Sequence, residues 1–83
     1  MEKIPRIKKV RPLKNRHLEI QFHNGIKKEY DCNQIIDRPE FFLLHDDLVF
    51  NAVKVDTGGY GISWNDDMDI SEFEVWVNGK ECR

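Results

Sequence analysis

The clearest pattern along the chain is the alternation of polar and apolar residues over positions 17–22. A period of two predicts a strand with one buried face. The dipeptide Asn24-Gly25 follows and predicts a hairpin. A two-residue turn would set charged residues on the apolar face, whereas a three-residue loop at 23–25, with Gly25 left-handed, aligns the apolar positions of both strands. The three-residue loop is therefore preferred, and it leaves Lys28 on the apolar face with its ammonium group reaching outward.

An earlier strand is predicted from Ile7 to Leu13. Pro12 cannot donate a hydrogen bond to a sheet ladder, so this strand either ends there or lies at an edge. Ile7 and Val10 are out of phase for strict alternation. A β-bulge or burial on both faces would each explain this spacing.

Between Asp31 and Asp46 the apolar spacing changes to one that suits helical turns. Pro39 divides the segment, and proline is favoured in the first turn of a helix. Residues 37–40 also have the spacing of a capping box. The pattern predicts one short helix near residues 33–37 and another near 39–45, compatible with a kinked pair.

Two further strands are predicted in the second half of the chain. Residues 48–56 are rich in valine and phenylalanine, and Thr57-Gly58-Gly59 predicts the turn that follows. Residues 60–64 alternate again, which places Tyr60, Ile62 and Trp64 on one face. Residues 65–67 are predicted as a turn or loop.

The last element could be a helix or a strand. Ser71 and Glu74 have capping-box spacing, and Phe73, Trp76 and Val77 follow a helical repeat. The same segment also alternates at positions 73, 75 and 77. Helix is the preferred interpretation, with Gly79 as the residue beyond its end.

The resulting order, β-β-β-α-β-β-α, predicts the α+β class: a single small two-layer domain over residues 1–83, with a mostly antiparallel sheet. The 83 residues lie below the size at which chains divide into domains. No apolar run approaches the ~20 residues of a membrane span, and residues 1–5 lack the apolar core of a secretory signal. A cytoplasmic protein without membrane contact is expected.

Charge is distributed unevenly. Residues 1–30 carry a net +6 and residues 31–83 a net −8, so that the whole chain has a formal charge of −2. Such asymmetry can mark a binding face. The alternative, that the two halves interleave and the charges only solvate the fold, is favoured, because charge runs are usually solvated surface.

Candidate chemistry is sparse. The two cysteines, Cys32 and Cys82, are expected to be reduced thiols, and nothing beside them would clearly lower the pKa of either. The three histidines show no metal-ligand spacing. The run 65–69 resembles the start of a calcium loop, but the required glycine and final glutamate are missing. We therefore expect no enzymatic activity, no metal and no cofactor.

The strongest binding signal is a set of six cations within eleven residues, called here the basic cluster: Arg6, Lys8, Lys9, Arg11, Lys14 and Arg16. These side chains could contact phosphates or an acidic protein surface. No aromatic residues are interleaved to stack on bases. Tyr60, Trp64 and Asp69 form a weaker candidate for a small-ligand site, with core packing of Trp64 as the alternative.

Several positions, taken in order, are similar to those of a known family: Ile7, Val10 and Leu13; Leu18-x-Ile20-x-Phe22 with Gly25; Tyr30-Asp31; a Phe42-x-Leu44 spacing and Phe50; Val53-x-Val55-Asp56; Gly61-Ile62-x-Trp64; Asp69-Ile70; and Trp76 with Gly79. Together they resemble the small bacterial domain-of-unknown-function family 2442, which includes the N-terminal domain of a helix-turn-helix protein. Val75-Trp76 departs from the Leu-Tyr pair common in relatives.

The resemblance implies a compact α+β domain and no catalytic residues. It also implies that some relatives are fused to a DNA-binding domain, while others stand beside a second small protein, as in toxin–antitoxin pairs. The leading hypothesis is therefore a non-enzymatic module that binds a small protein partner or a second copy of itself. The alternative is a nucleic-acid accessory domain that uses the basic cluster.

Overall fold

The computed structural model describes residues 4–82, which form two antiparallel sheets and several short helices. The four-stranded sheet has the order β1-β2-β3-β7, with β1 Ile7–Pro12, β2 His17–Phe22, β3 Lys27–Asp31 and β7 Lys80–Glu81. The three-stranded sheet has the order β4-β5-β6, with β4 Lys54–Val55, β5 Gly61–Asn65 and β6 Met68–Ser71. The α-helices are α1 Asp47–Phe50 and α2 Glu72–Asn78, and 3-10 helices cover Lys14–Arg16, Cys32–Gln34, Pro39–His45 and Thr57–Gly59. The α+β class is confirmed.

The β2–β3 hairpin has the predicted register. The Phe22 N–H donates to the Ile26 carbonyl at 2.9 Å, and Gly25 has φ +89°. Lys28 does lie on the apolar face, opposite Ile20. Its Nζ, however, turns towards α2, where it donates to the Trp76 carbonyl and lies 3.9 Å from the centre of the Trp76 ring.

A β-bulge explains the phase of β1. Ile7 pairs with Phe22 and Lys9 with Gln21, so β1 has one more residue than β2 between those pairs. The extra residue lets Ile7 and Val10 both turn inward. β1 also ends at Pro12 and is a terminal strand of its sheet, as the proline predicts.

The segment after β3 contains two 3-10 helices in place of the two predicted helices, and residues 35–37 of the first prediction form a turn. The 3-10 helix Cys32–Gln34 begins at Asp31, whose side chain accepts from the Asn33 N–H at 2.8 Å. Pro39 opens the second 3-10 helix, Pro39–His45. With three residues per turn, Phe41 and Leu44 share its buried side.

The strand predicted over residues 48–56 is wrong for its first half. Residues 47–50 form helix α1, and only Lys54–Val55 pair as β4. The cause is Asp46, whose carboxylate accepts the N–H groups of Leu48 and Val49 at 2.8 and 3.4 Å. This cap starts a helical turn that the local strand preference does not override.

At the C-terminal end, the helical interpretation of residues 73–77 is confirmed as part of α2. The Ser71 hydroxyl accepts from the Glu74 N–H at 3.1 Å, as the capping-box spacing predicts. Strands β6 and β7 were not predicted. β6 does alternate, with Met68 and Ile70 buried, but over only four residues, and β7 has only two residues.

The core lies between the two sheets and the helices, and Tyr30 connects these layers. It is fully buried on β3, and its hydroxyl donates to the Glu74 carboxylate of α2 at 3.0 Å. The Phe22 ring meets Trp76 edge-on at a centroid distance of 5.0 Å. The other fully buried large side chains are Ile7, Leu18, Ile20, Leu44, Phe50, Ile62, Met68 and Val75.

We expect Gly59→Ala to destabilise the fold more than Gly25→Ala. Both glycines have positive φ, so each alanine costs about 1–2 kcal/mol of backbone strain. At Gly59 the new Cβ would also lie 2.5 Å from the Ile7 carbonyl oxygen, whereas nothing lies within 4 Å at Gly25. Urea unfolding of both variants measures the difference, and equal costs would contradict the close approach of residue 59 to β1.

Candidate functional site

The structure divides the basic cluster, and Arg6 belongs to its structural part. Its Nε lies 3.4 Å from the Glu72 carboxylate at the start of α2. Its guanidinium carbon lies 3.7 Å from the centre of the Tyr60 ring. Arg6 therefore connects the chain before β1 to the second half of the fold and is not a free cation.

Arg16 is also engaged within the fold. Its Nε donates to the Leu44 carbonyl and its Nη2 to the His45 carbonyl, both at 2.8 Å. The same Nη2 lies 2.6 Å from the Asp47 carboxylate. Arg16 thus binds the C-terminal end of the 3-10 helix Pro39–His45, where unpaired carbonyls favour a cation.

The remaining four cations are exposed but share their surroundings with acids. Arg11 donates to Glu19 across the β1–β2 pair at 3.2 Å. Lys8, Lys9 and Lys14 are exposed. The outer face of the same sheet also carries Glu29, so the cations do not form one face of a single sign.

Tyr60, Trp64 and Asp69 occupy three different environments. Trp64 is buried, and its indole N–H donates to the Phe50 carbonyl at 3.0 Å, which is the core role noted as the alternative. Asp69 is exposed on β6, opposite Ser63. Tyr60 does not share the buried face of Trp64, because it precedes β5 in a helical backbone conformation and lies over Arg6.

An acidic groove on the outer face of the four-stranded sheet was not predicted. His17 lies within it, with Nδ1 2.6 Å from the Glu29 carboxylate and Nε2 3.5 Å from that of Asp31. The N–H of Asn33 lowers the pKa of Asp31 by hydrogen bonding, and His17 adds to that effect. The groove encloses about 530 Å³ and is lined by His17, Glu29, Asp31, Gln34, Asn78, Lys80, Glu81 and Cys82.

Neither thiol is activated. Cys32 is fully buried, and this burial raises its pKa to about 12, with Asp31 as a further cause. Partial burial and then Glu29 raise the pKa of Cys82. Both cysteines are free thiols, and at neutral pH both are protonated, so they are poor nucleophiles.

Three large apolar side chains are exposed within seven residues of sequence, and we call them the helical apolar surface: Phe42, Leu43 and Leu48. Their exposed fractions are 59%, 58% and 83%. The first two lie on the 3-10 helix Pro39–His45 and the third on α1. The sequence pattern did not reveal this surface, because four consecutive apolar residues at 41–44 do not show by themselves which of them are buried. In the 3-10 helix, Phe41 and Leu44 share the buried side, which leaves Phe42 and Leu43 outside it.

Residues 4–82, the described part of the chain, contain no candidate metal site and no candidate membrane span. No group of three histidine, cysteine, aspartate or glutamate side chains there is arranged to hold a metal ion. Within the same residues, no helix combines the length and apolar character needed to cross a membrane.

The fold defines a small α+β domain built from two antiparallel sheets around a shared core. A family model described as "Protein of unknown function (DUF2442)" matches residues 7–81, and the chain belongs to this family. The match covers nearly the whole chain and confirms the resemblance seen in the sequence. No curated protein and no solved structure matches the chain.

We expect Arg16→Ala to lower the free energy of unfolding by about 2 kcal/mol, because two hydrogen bonds from a charged donor are lost. Lys14→Ala is the control. Its side chain is exposed, and its effect should stay within about 0.5 kcal/mol. Urea unfolding measures both variants, and an equal, small effect would show that Arg16 does not hold the helical segment.

The alkaline stability of the protein should depend on Cys32. Below pH 9.0, the usual pKa of a thiol, Cys32 is protonated in both the folded and the unfolded chain. Above that pH the Cys32 thiol ionises in the unfolded chain, whereas in the folded chain it keeps its proton up to about pH 12. Stability therefore falls as pH rises through that window, by up to about 1.4 kcal/mol per pH unit for this group. Cys32→Ala should make the decline shallower in urea unfolding between pH 9 and 11, and parallel curves would contradict the shift.

Proposed function

We propose that this chain is a non-enzymatic protein-interaction module whose contact surface is the helical apolar surface. The observation that supports this function is the exposure of Phe42, Leu43 and Leu48 within seven residues of sequence. Single exposed apolar residues are ordinary on protein surfaces, whereas clustered ones are typical of interaction sites. A partner that covers them removes their apolar area from water.

The segment that carries this surface is held from three sides. Phe41, Leu44 and Phe50 anchor it in the core. Asp46 caps α1, and Arg16 binds the carbonyls of Leu44 and His45. A surface that is already ordered loses little conformational entropy on binding, which favours affinity.

A non-enzymatic role agrees with the chemistry of the described residues. The pKa of each thiol is raised, which lowers the fraction of reactive thiolate. His17 is engaged by two carboxylates. The free thiols also suit a reducing compartment, and we place the protein in the cytoplasm as part of this proposal.

The nucleic-acid alternative receives less support from the charge distribution. Arg6 and Arg16 make internal contacts, and Arg11 is paired with Glu19. If Lys8, Lys9 and Lys14 bound phosphates, the sugar-phosphate backbone of the nucleic acid would lie near the carboxylates on the outer face of the sheet. Such binding would weaken steeply with salt, which makes it easy to recognise.

We expect a Phe42→Ser/Leu43→Ser double variant to lose a protein partner that the wild type retains. The matched control is Phe73→Ser/Val77→Ser on α2, because those side chains are equally exposed, at 58% and 55%. The measurement is a tagged pull-down from native lysate after nuclease treatment, with mass spectrometry of the stoichiometric species. Size-exclusion chromatography of the pure chain tests a second copy as the partner.

Retention of the partner by the Phe42→Ser/Leu43→Ser variant would contradict the proposal that the helical apolar surface binds it. Loss of the partner only in the α2 control would indicate that α2 is the contact surface instead. Failure of the wild type to retain any protein or to self-associate would overturn the interaction role. Recovery of nucleic acid alone, without nuclease, would support the accessory-domain alternative instead. Thermal unfolding of both variants checks that they remain folded.

A further inference from the structure

The charges around the helical apolar surface define the chemistry of its partner. Four carboxylates lie within residues 37–48, from Asp37, Glu40, Asp46 and Asp47, against one arginine. All four carboxylate residues are exposed. Asp47 is paired with Arg16, and the Asp46 side chain caps α1, which leaves Asp37 and Glu40 as the two acidic side chains without such a structural task.

The backbone of this segment excludes an added strand as the partner. The N–H groups of Phe41, Asp46 and Phe50 donate to carbonyls within the segment, at 2.9, 3.1 and 2.9 Å. A strand would need free backbone donors and acceptors along an edge. A partner must therefore bind through side chains, and a helix that packs its apolar stripe against these turns is the regular way to do so.

We infer that the helical apolar surface binds a cationic amphipathic helix of a partner protein, with the partner's apolar stripe on Phe42, Leu43 and Leu48 and its lysines or arginines facing Asp37 and Glu40. This inference rests on the proposed interaction function and specifies its partner. Apolar contact supplies the affinity. Asp37 and Glu40, called here the acidic rim, select the charge and orientation of the helix.

The rim acts mainly on selectivity because its carboxylates are exposed and screened by salt. A helix with glutamates at the flanking positions would bring like charges against the same rim. It would lose affinity even though its apolar stripe is unchanged. The surface therefore distinguishes two helices of identical hydrophobic pattern by the sign of their flanks.

The test uses two designed 18-residue peptides with the same leucine stripe, one flanked by lysines and the other by glutamates. Fluorescence anisotropy with the full chain at low salt measures both affinities. We expect the lysine peptide to bind at least about tenfold more tightly than the glutamate peptide. Phe42→Ser/Leu43→Ser should weaken binding of the lysine peptide at least about tenfold, whereas Phe73→Ser/Val77→Ser should not change it.

The acidic rim is tested separately with Asp37→Asn/Glu40→Gln. This variant should bring the affinities for the two peptides closer together, while Asp66→Asn/Asp67→Asn, which neutralises two exposed carboxylates in the β5–β6 turn, should leave their ratio unchanged. Equal affinities of both peptides for the wild type, or no binding of the lysine peptide, would overturn the inference.

Failure of this inference can be separated from failure of the interaction role. A lysate partner that is lost with Phe42→Ser/Leu43→Ser but is insensitive to Asp37→Asn/Glu40→Gln leaves the protein-binding function in place and overturns the cationic helix. Absence of any partner or self-association for the wild type overturns the interaction role itself.

Discussion

The guanidinium of Arg16 is the contact that connects the turn between β1 and β2 to the helical segment. It extends from the connection between β1 and β2 to the carbonyls of Leu44 and His45, far along the chain, and to Asp47. The Arg16 backbone has φ +63°, and the preceding Asn15 has φ +60°, both in the left-handed region that most residues avoid. This turn places Arg16 where its guanidinium reaches the carbonyls of Leu44 and His45.

The charge asymmetry of the chain is consistent with interleaving. Cations of the first 30 residues lie against acids of the second half: Arg6 against Glu72, and Arg16 against Asp47. Both carboxylates belong to the first turn of an α-helix. Two of the six cations in the basic cluster therefore join the two halves of the fold, whereas Asp37 and Glu40 lie exposed beside Phe42.

The elements that were predicted correctly are those determined by residues close to one another in sequence. The β2–β3 hairpin, its three-residue loop and the Ser71 cap follow from side-chain alternation and short-range turn chemistry, and each was predicted. Helix α1 was missed because one capping carboxylate outweighs a run of strand-favouring residues. The helical apolar surface could not be predicted, because it depends on which side of a short 3-10 helix is buried. The acidic groove around His17 could not be predicted either, because it depends on the pairing of β7 with β3.

The bulged strand β1 also bears on the solubility of the chain. A terminal strand presents unpaired backbone groups that can pair with another molecule and start aggregation. Here that strand carries Lys8 and Lys9 at a bulge, Arg11 on its exposed face and Pro12 at its end. Charge, irregular pairing and a missing donor each oppose edge-to-edge association. These features of the basic cluster are ones that oppose edge-to-edge growth of a sheet, an effect that requires no binding partner.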